Sequence, residues 1–212
     1  FEHKKMYRSV RGEVPDTDYV VPLGHAAVTH PGSQVTVIAY GLMAHYALEA
    51  ADLVADEGIS VEVVDVRTLR PLDRETILES VRKTGKCLIV YEDSKFGGYG
   101  AGIAAIVAEE AFDYRDGPVT RVAGPDVPGV PYNHALEDWF MVNPDKIADG
   151  IRKLAAYCRG LDQIFARCSA RRPSAGPFWA PLGIASVPQP ARGLDRCQLL
   201  ALMNIWRGIG DS

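Results

Sequence analysis

The side chains best suited to chemistry or recognition lie close together between residues 92 and 100. Glu92 and Asp93 are carboxylates, Ser94 a hydroxyl and Lys95 an ammonium, followed at once by Phe96, Gly97, Gly98, Tyr99 and Gly100. A carboxylate at a strand end can hold a helix N-terminus or a basic partner, or simply be a hydrogen-bonded loop acid. Glycines ahead of a helix let backbone N–H groups close on a phosphate. Here, however, four polar residues and Phe96 separate the apolar strand from the glycines, which departs from the dinucleotide fingerprint. A tight turn at a subunit interface, with Phe96 or Tyr99 as aromatic anchor, fits the spacing better. Arg67 and Arg70 flank another strand end near the same edge, available to Glu92, Asp65, a partner subunit or water. His134 suits an interface loop. The five histidines, His3, His25, His30, His45 and His134, show no ligand spacing. No catalytic, cofactor-binding or metal-ligating residue is assigned.

The elements that must position these residues follow from hydrophobic periodicity. Cys87 to Tyr91 is an apolar run suited to a strand buried on both faces, with Cys87 behaving as a small hydrophobe. The helix after the glycines places Ile103, Ile106, Val107 and Ala111 on one face. Before it, Val35 to Tyr40 reads as a strand, Leu42 to Asp56 as a helix stopping at Gly58, and Val61 to Val66 as a second strand. Asp73 is placed to cap a helix running to about Thr84, with Leu72 and Ile77 as a hydrophobic staple. Val119 to Ala123 forms a further strand, His134 to Phe140 a short helix, and Asn143-Pro144 opens a last helix burying Ile147, Ile151, Leu154 and Ala155. Alternating strands and helices predict a doubly wound α/β fold, a mostly parallel sheet with helices on both faces.

Three regions are expected. Residues 1–34 form an irregular lead-in, with Tyr19 to Leu23 as a short extended piece; it reads as a linker arm. Residues 35–157 form the α/β domain, and 158–212 a poorly ordered, atypical tail. Up to Tyr157 the net charge is −8 and beyond it +4, giving the overall −4. All seven basic residues of the tail are Arg, and it holds Cys158, Cys168 and Cys197 at spacings unlike a zinc site. Such a shift suits either a native extension or the product of a changed reading frame or a lost stop. The mildly acidic balance argues against a nucleic-acid partner. No apolar run reaches the roughly 18 residues of a membrane span. A bacterial cytoplasm, or alternatively a mitochondrial matrix, is the expected setting. The first residue is Phe1, which suits a piece of a longer chain.

The segments VTVIAYG, VEVVDVRTLRPLD, LIVYEDSKFGGYGAGIAAIVAEEAF and VTRVAGPDVPGVPY, with the closing amphipathic helix, occur in an order that resembles the C-terminal domain of E1 β subunits. These belong to the 2-oxo acid dehydrogenase complexes, of pyruvate or branched-chain type, and the domain is transketolase C-terminal-like. The lead-in FEHKKMYRSVRGEVPDTDYVVPLGHA resembles the link from a pyrimidine-binding domain.

The resemblance implies a thiamine-diphosphate enzyme in which cofactor and Mg are held by other domains of an α/β heterotetramer. This chain alone is then expected to bind no cofactor and to be inactive by itself. It is expected to serve assembly with an E1 α subunit and a second E1 β subunit, and docking of the subunit-binding domain of the E2 acyltransferase. The interface residues implied are Glu92, Phe96, Gly97, Gly98, Tyr99, Gly100, Arg67, Arg70 and His134. Two alternatives remain: a free-standing Rossmann-like nucleotide or small-ligand module, and the corresponding domain of transketolase or deoxyxylulose-phosphate synthase.

Overall fold

A computed structural model describes residues 3–157; the expected tail, 158–212, lies outside the described residues. A short turn of helix, α1 (Met6–Ser9), precedes strand β1 (Ala27–His30) and strand β2 (Val35–Ala39). Helix α2 (Leu42–Ala55) leads to β3 (Val61–Asp65), α3 (Arg74–Thr84), β4 (Cys87–Ser94) and α4 (Tyr99–Glu110). Strand β5 (Thr120–Gly124), α5 (His134–Phe140) and α6 (Pro144–Ala155) complete the described chain. The sheet order is β1-β3-β2-β4-β5, parallel throughout except for β1, which pairs antiparallel with β3.

Alternation along the strands sorts the core into two layers. Val35, Val37 and Ala39 of β2, Val61 and Val63 of β3, and Leu88 and Val90 of β4 face α2 and α6. Ile38, Val64, Ile89 and Tyr91 point the other way, against α3 and α4. Helices therefore cover both faces, as a parallel sheet requires. The exception on the second face is polar. Thr36 Oγ1, fully buried, donates to the carbonyl of Ser80 at 3.0 Å and shares hydrogen bonds with the hydroxyls of Ser80 (2.8 Å) and Thr84 (2.7 Å). Ser80 in turn donates to the buried Glu62 carboxylate at 2.7 Å, which Lys83 also pairs.

Helix ends follow the capping signals. Asp73 accepts from the Thr76 N–H at 3.1 Å, and Asn143 from the Lys146 N–H at 2.9 Å. Gly85 closes α3 in the left-handed region, with φ 71°.

Two expectations fail. The lead-in is not wholly irregular: Ala27 and Val28 stand opposite Asp65 and Val64, so residues 27–30 are a sheet strand, while Tyr19 to Leu23 forms none. Asp73 fixes this strand's entry by accepting the Ala26 N–H at 2.9 Å, and Gly24 donates to Thr68 Oγ1 at 3.3 Å. Strand β4 also runs past Tyr91 to Ser94, so Glu92 belongs to the strand and not to the following loop. Its register with β5 shifts between Val90 and Ser94, where pairing resumes with Gly124.

Candidate functional site

Strands β2 and β4 are neighbours whose helical crossovers leave in opposite directions, so the topological switch point lies at their carboxyl ends. The glycines of the Phe96–Gly100 turn stand there, and their role is set by one side chain. Tyr91 ends the apolar run of β4 and is fully buried. Its ring stacks on Tyr40 (centroids 6.4 Å apart, planes 13° apart), and Tyr99 meets Tyr40 edge-on. The Tyr91 hydroxyl accepts from Arg121 Nη1 at 3.0 Å and donates to the Lys95 carbonyl at 3.3 Å. Burial pushes the Tyr40 phenol up to about 12.

A Cβ on Gly100 would sit 2.2 Å from the Tyr91 ring, and one on Gly98 would sit 2.4 Å from the Ser94 carbonyl oxygen and 2.7 Å from the same ring. The turn's close approach to Tyr91 therefore leaves no room for a side chain at Gly98 or Gly100. Gly98 and Gly100 are thus buried packing positions within the domain, and Tyr99 donates to the Leu69 carbonyl. Gly97 is exposed, with φ 78°.

The other residues singled out by the sequence are not gathered into one cluster. Glu92 accepts a hydrogen bond from His3 at 2.6 Å, or pairs with it as an ion, and not from Arg67 or Arg70. Arg67 and Arg70 are exposed, and neither guanidinium forms an ion pair among the described residues. Arg67 has φ 56° and its backbone N–H donates to Asp65 Oδ1 at 3.2 Å, so the anticipated Asp65 contact is made by the main chain. His134, fully exposed, lies 3.9 Å from Glu137 on its own helix.

Phe96 is 81% exposed and does have neighbours. It lines a depression of about 430 Å³ beside the β5 edge, with Lys95, Arg121, Val122, Trp139 and Phe140. Helix α5 buries none of its residues, leaving Leu136 and Trp139 (57%) in solvent, and Val127, Val130 and Tyr132 of the preceding loop are exposed too. Trp139 and Tyr132 were not among the sequence candidates. Their signal was the Leu136/Trp139 pair at i, i+3 on a helix too short to bury either.

Other polar groups near this surface and in the core are already engaged. Lys146 is occupied, donating to the carbonyls of Asp138, Trp139 and Met141 at the end of α5, and desolvation lowers its pKa. Cys87 is buried, its thiol pushed up to about 12 by desolvation. Among the described residues no three His, Cys, Asp or Glu side chains are placed to hold a metal ion. No helix among the described residues is long and apolar enough to cross a membrane.

Comparison with known proteins agrees with this fold. The chain is 50% identical over 157 residues to the 2-oxoisovalerate dehydrogenase subunit beta of Bacillus subtilis, a match covering 74% of this chain and 48% of that protein. It is 41% identical over 156 residues to the pyruvate dehydrogenase E1 component subunit beta of the same organism, covering 74% and 47%. The chain spans about half the length of these curated relatives. A solved split-gene transketolase, an inactive beta4 tetramer, matches with a TM-score of 0.61 at 34% identity, over 72% of this chain and 49% of that one. The family model of the transketolase C-terminal domain matches residues 24–147, taking in β1 as well as the parallel strands, and the chain belongs to that family.

Proposed function

We propose that the chain is the C-terminal part of the β subunit of a thiamine-diphosphate-dependent 2-oxo acid dehydrogenase. The carrying observation is the 50% identity to a 2-oxoisovalerate dehydrogenase β subunit over essentially the whole described domain. In such an assembly a 2-oxo acid is oxidatively decarboxylated and its acyl group passed to the lipoyl group of E2. Thiamine diphosphate and Mg are held by the other domains, and this part serves assembly with E1 α and a second β subunit and docking of E2. The proposed setting is a bacterial cytoplasm or mitochondrial matrix. The exposed Phe96 and Trp139, which line the depression, support an assembly role, since aromatic anchors around a depression are what interface cores use. A nucleotide-binding module is disfavoured because the turn departs from the dinucleotide fingerprint.

The test is association. The chain is mixed with an E1 α subunit, and separately with an E2 subunit-binding domain, and followed by sedimentation velocity. The expected result is a complex that Phe96→Ser or Trp139→Ser weakens at least tenfold, with no thiamine diphosphate binding by the chain alone in calorimetry. Failure to associate with either partner, together with saturable NAD or ATP binding, overturns the proposal.

A further inference from the structure

The carboxyl end of β4 is met by residues 3–10 of the chain. His3 is bonded to Glu92 at the end of β4 through Nε2 at 2.6 Å, and its Nδ1 is shielded from solvent. Two residues on, the Lys5 ammonium lies 5.6 Å from the centroid of the Tyr46 ring in the second turn of α2. The hydrogen bond of Lys5 to Tyr46 raises its pKa against the opposing effect of burial, with Glu92 and Glu137 adding to the rise. Met6 packs against the hydrophobic layer formed by α2 and α6. Residues 3–8 carry His3, Lys4, Lys5 and Arg8 and no acid, while Glu92, bonded to His3, is acidic, so the charges are complementary.

We infer that residues 3–10 are a strap, latched by His3–Glu92 and Lys5–Tyr46 across the end of the sheet where doubly wound folds bind ligands, and that the strap opens as a unit. A helix of four residues has too few internal hydrogen bonds to persist alone, so its order depends on the latch. Opening frees the Glu92 carboxylate and the apolar seat of Met6 without disturbing the sheet. The inference does not depend on which assembly the domain serves.

Hydrogen exchange on the full chain tests it, because the Met6 N–H donates to the His3 carbonyl at 2.9 Å and the Val10 N–H to the Met6 carbonyl at 3.3 Å. In Glu92→Ala and in His3→Ala these amides are expected to exchange at least tenfold faster than in the wild type. The amides of Leu88, Ile89 and Val90 should keep their wild-type rates, which separates strap release from unfolding. Wild-type rates at Met6 and Val10 in both variants overturn the inference, as does an absence of protection at these amides in the wild type.

Discussion

Gly100 and Gly102 stand two residues apart in α4, and the same substitution at each should move stability in opposite directions. At Gly102 an added Cβ meets nothing within 4 Å. Gly102→Ala therefore collects only the helix-propensity gain, about 0.5–1 kcal/mol. At Gly100 the Cβ would lie 2.2 and 2.3 Å from two carbons of the Tyr91 ring, where ordinary carbon contacts are about 3.5–4.0 Å. The ring cannot swing aside. It is fully buried, stacked on Tyr40, and tied through its hydroxyl to Arg121 and Lys95. Overpacking of this kind costs about 1–3 kcal/mol, or more where relief is blocked, and the propensity gain returns up to about 1. With relief blocked the upper end of that range applies, so the net loss is about 2 kcal/mol, which lowers the Tm by about 4–8 °C for a domain of this size. Thermal and urea denaturation of both variants, followed by circular dichroism, give the comparison. Gly100→Ala at or above wild-type stability would falsify the packing account. A double-mutant cycle with Tyr91→Leu locates the clash, since the two changes should couple by about 1 kcal/mol or more. If Gly100→Ala instead impairs subunit association at unchanged stability, the glycine acts at an interface and not in the interior.

Three further outcomes are expected. Asp73→Ala should cost about 1–2 kcal/mol, because the carboxylate caps α3 and also receives the Ala26 N–H ahead of β1. Burial alone would raise the Asp73 pKa, but the hydrogen bonds from Ala26 and Thr76 hold it below the ordinary value. That contribution is therefore present above pH about 4 and lost as pH falls through the lower folded value, so acid titration should bring the wild-type and Asp73→Ala curves together; curves that stay parallel would sink the assignment. Thr36→Val should lose about 1–3 kcal/mol in urea titration by removing the partner of Ser80 and Thr84 in a buried network, and a change under about 0.5 kcal/mol would show that the network repairs itself. Phe96→Ser should leave urea stability within about 0.5 kcal/mol of wild type, because the ring is exposed; a larger loss would mean that it supports the domain and is not held for a partner.

Most of the parallel framework was open to inspection in the sequence because its signals are local. Val35–Ala39 and Val61–Asp65 are short apolar runs between breakers, and Asp73 and Asn143-Pro144 announce helices within three residues. What escaped depends on partners far along the chain. Strand β1 alternates weakly, with Val28 and Thr29 exposed, and becomes a strand only because the edge of β3 is free to pair with it. The polar end of β4 looked like a loop; it stays extended because pairing to Gly124 resumes after the register shift. The glycine turn was the instructive case. Its spacing departs from a phosphate loop, but what requires Gly98 and Gly100 is the size of Tyr91, a neighbour across the turn that periodicity along one helix does not report. The Trp139 surface escaped because exposure, unlike periodicity, is settled by what the rest of the fold leaves uncovered.

The antiparallel strand β1 also fixes an order of events as the polypeptide leaves the ribosome. Ala27 pairs with Asp65, so β1 emerges first and has no partner until β3 has been made. At about 5–20 residues per second that interval is a few seconds. During it, Ala26 is equally without its acceptor, since Asp73 follows β3. The edge that closes the sheet is therefore the first of this sheet's strands to be synthesised, and it is held only once two later elements exist.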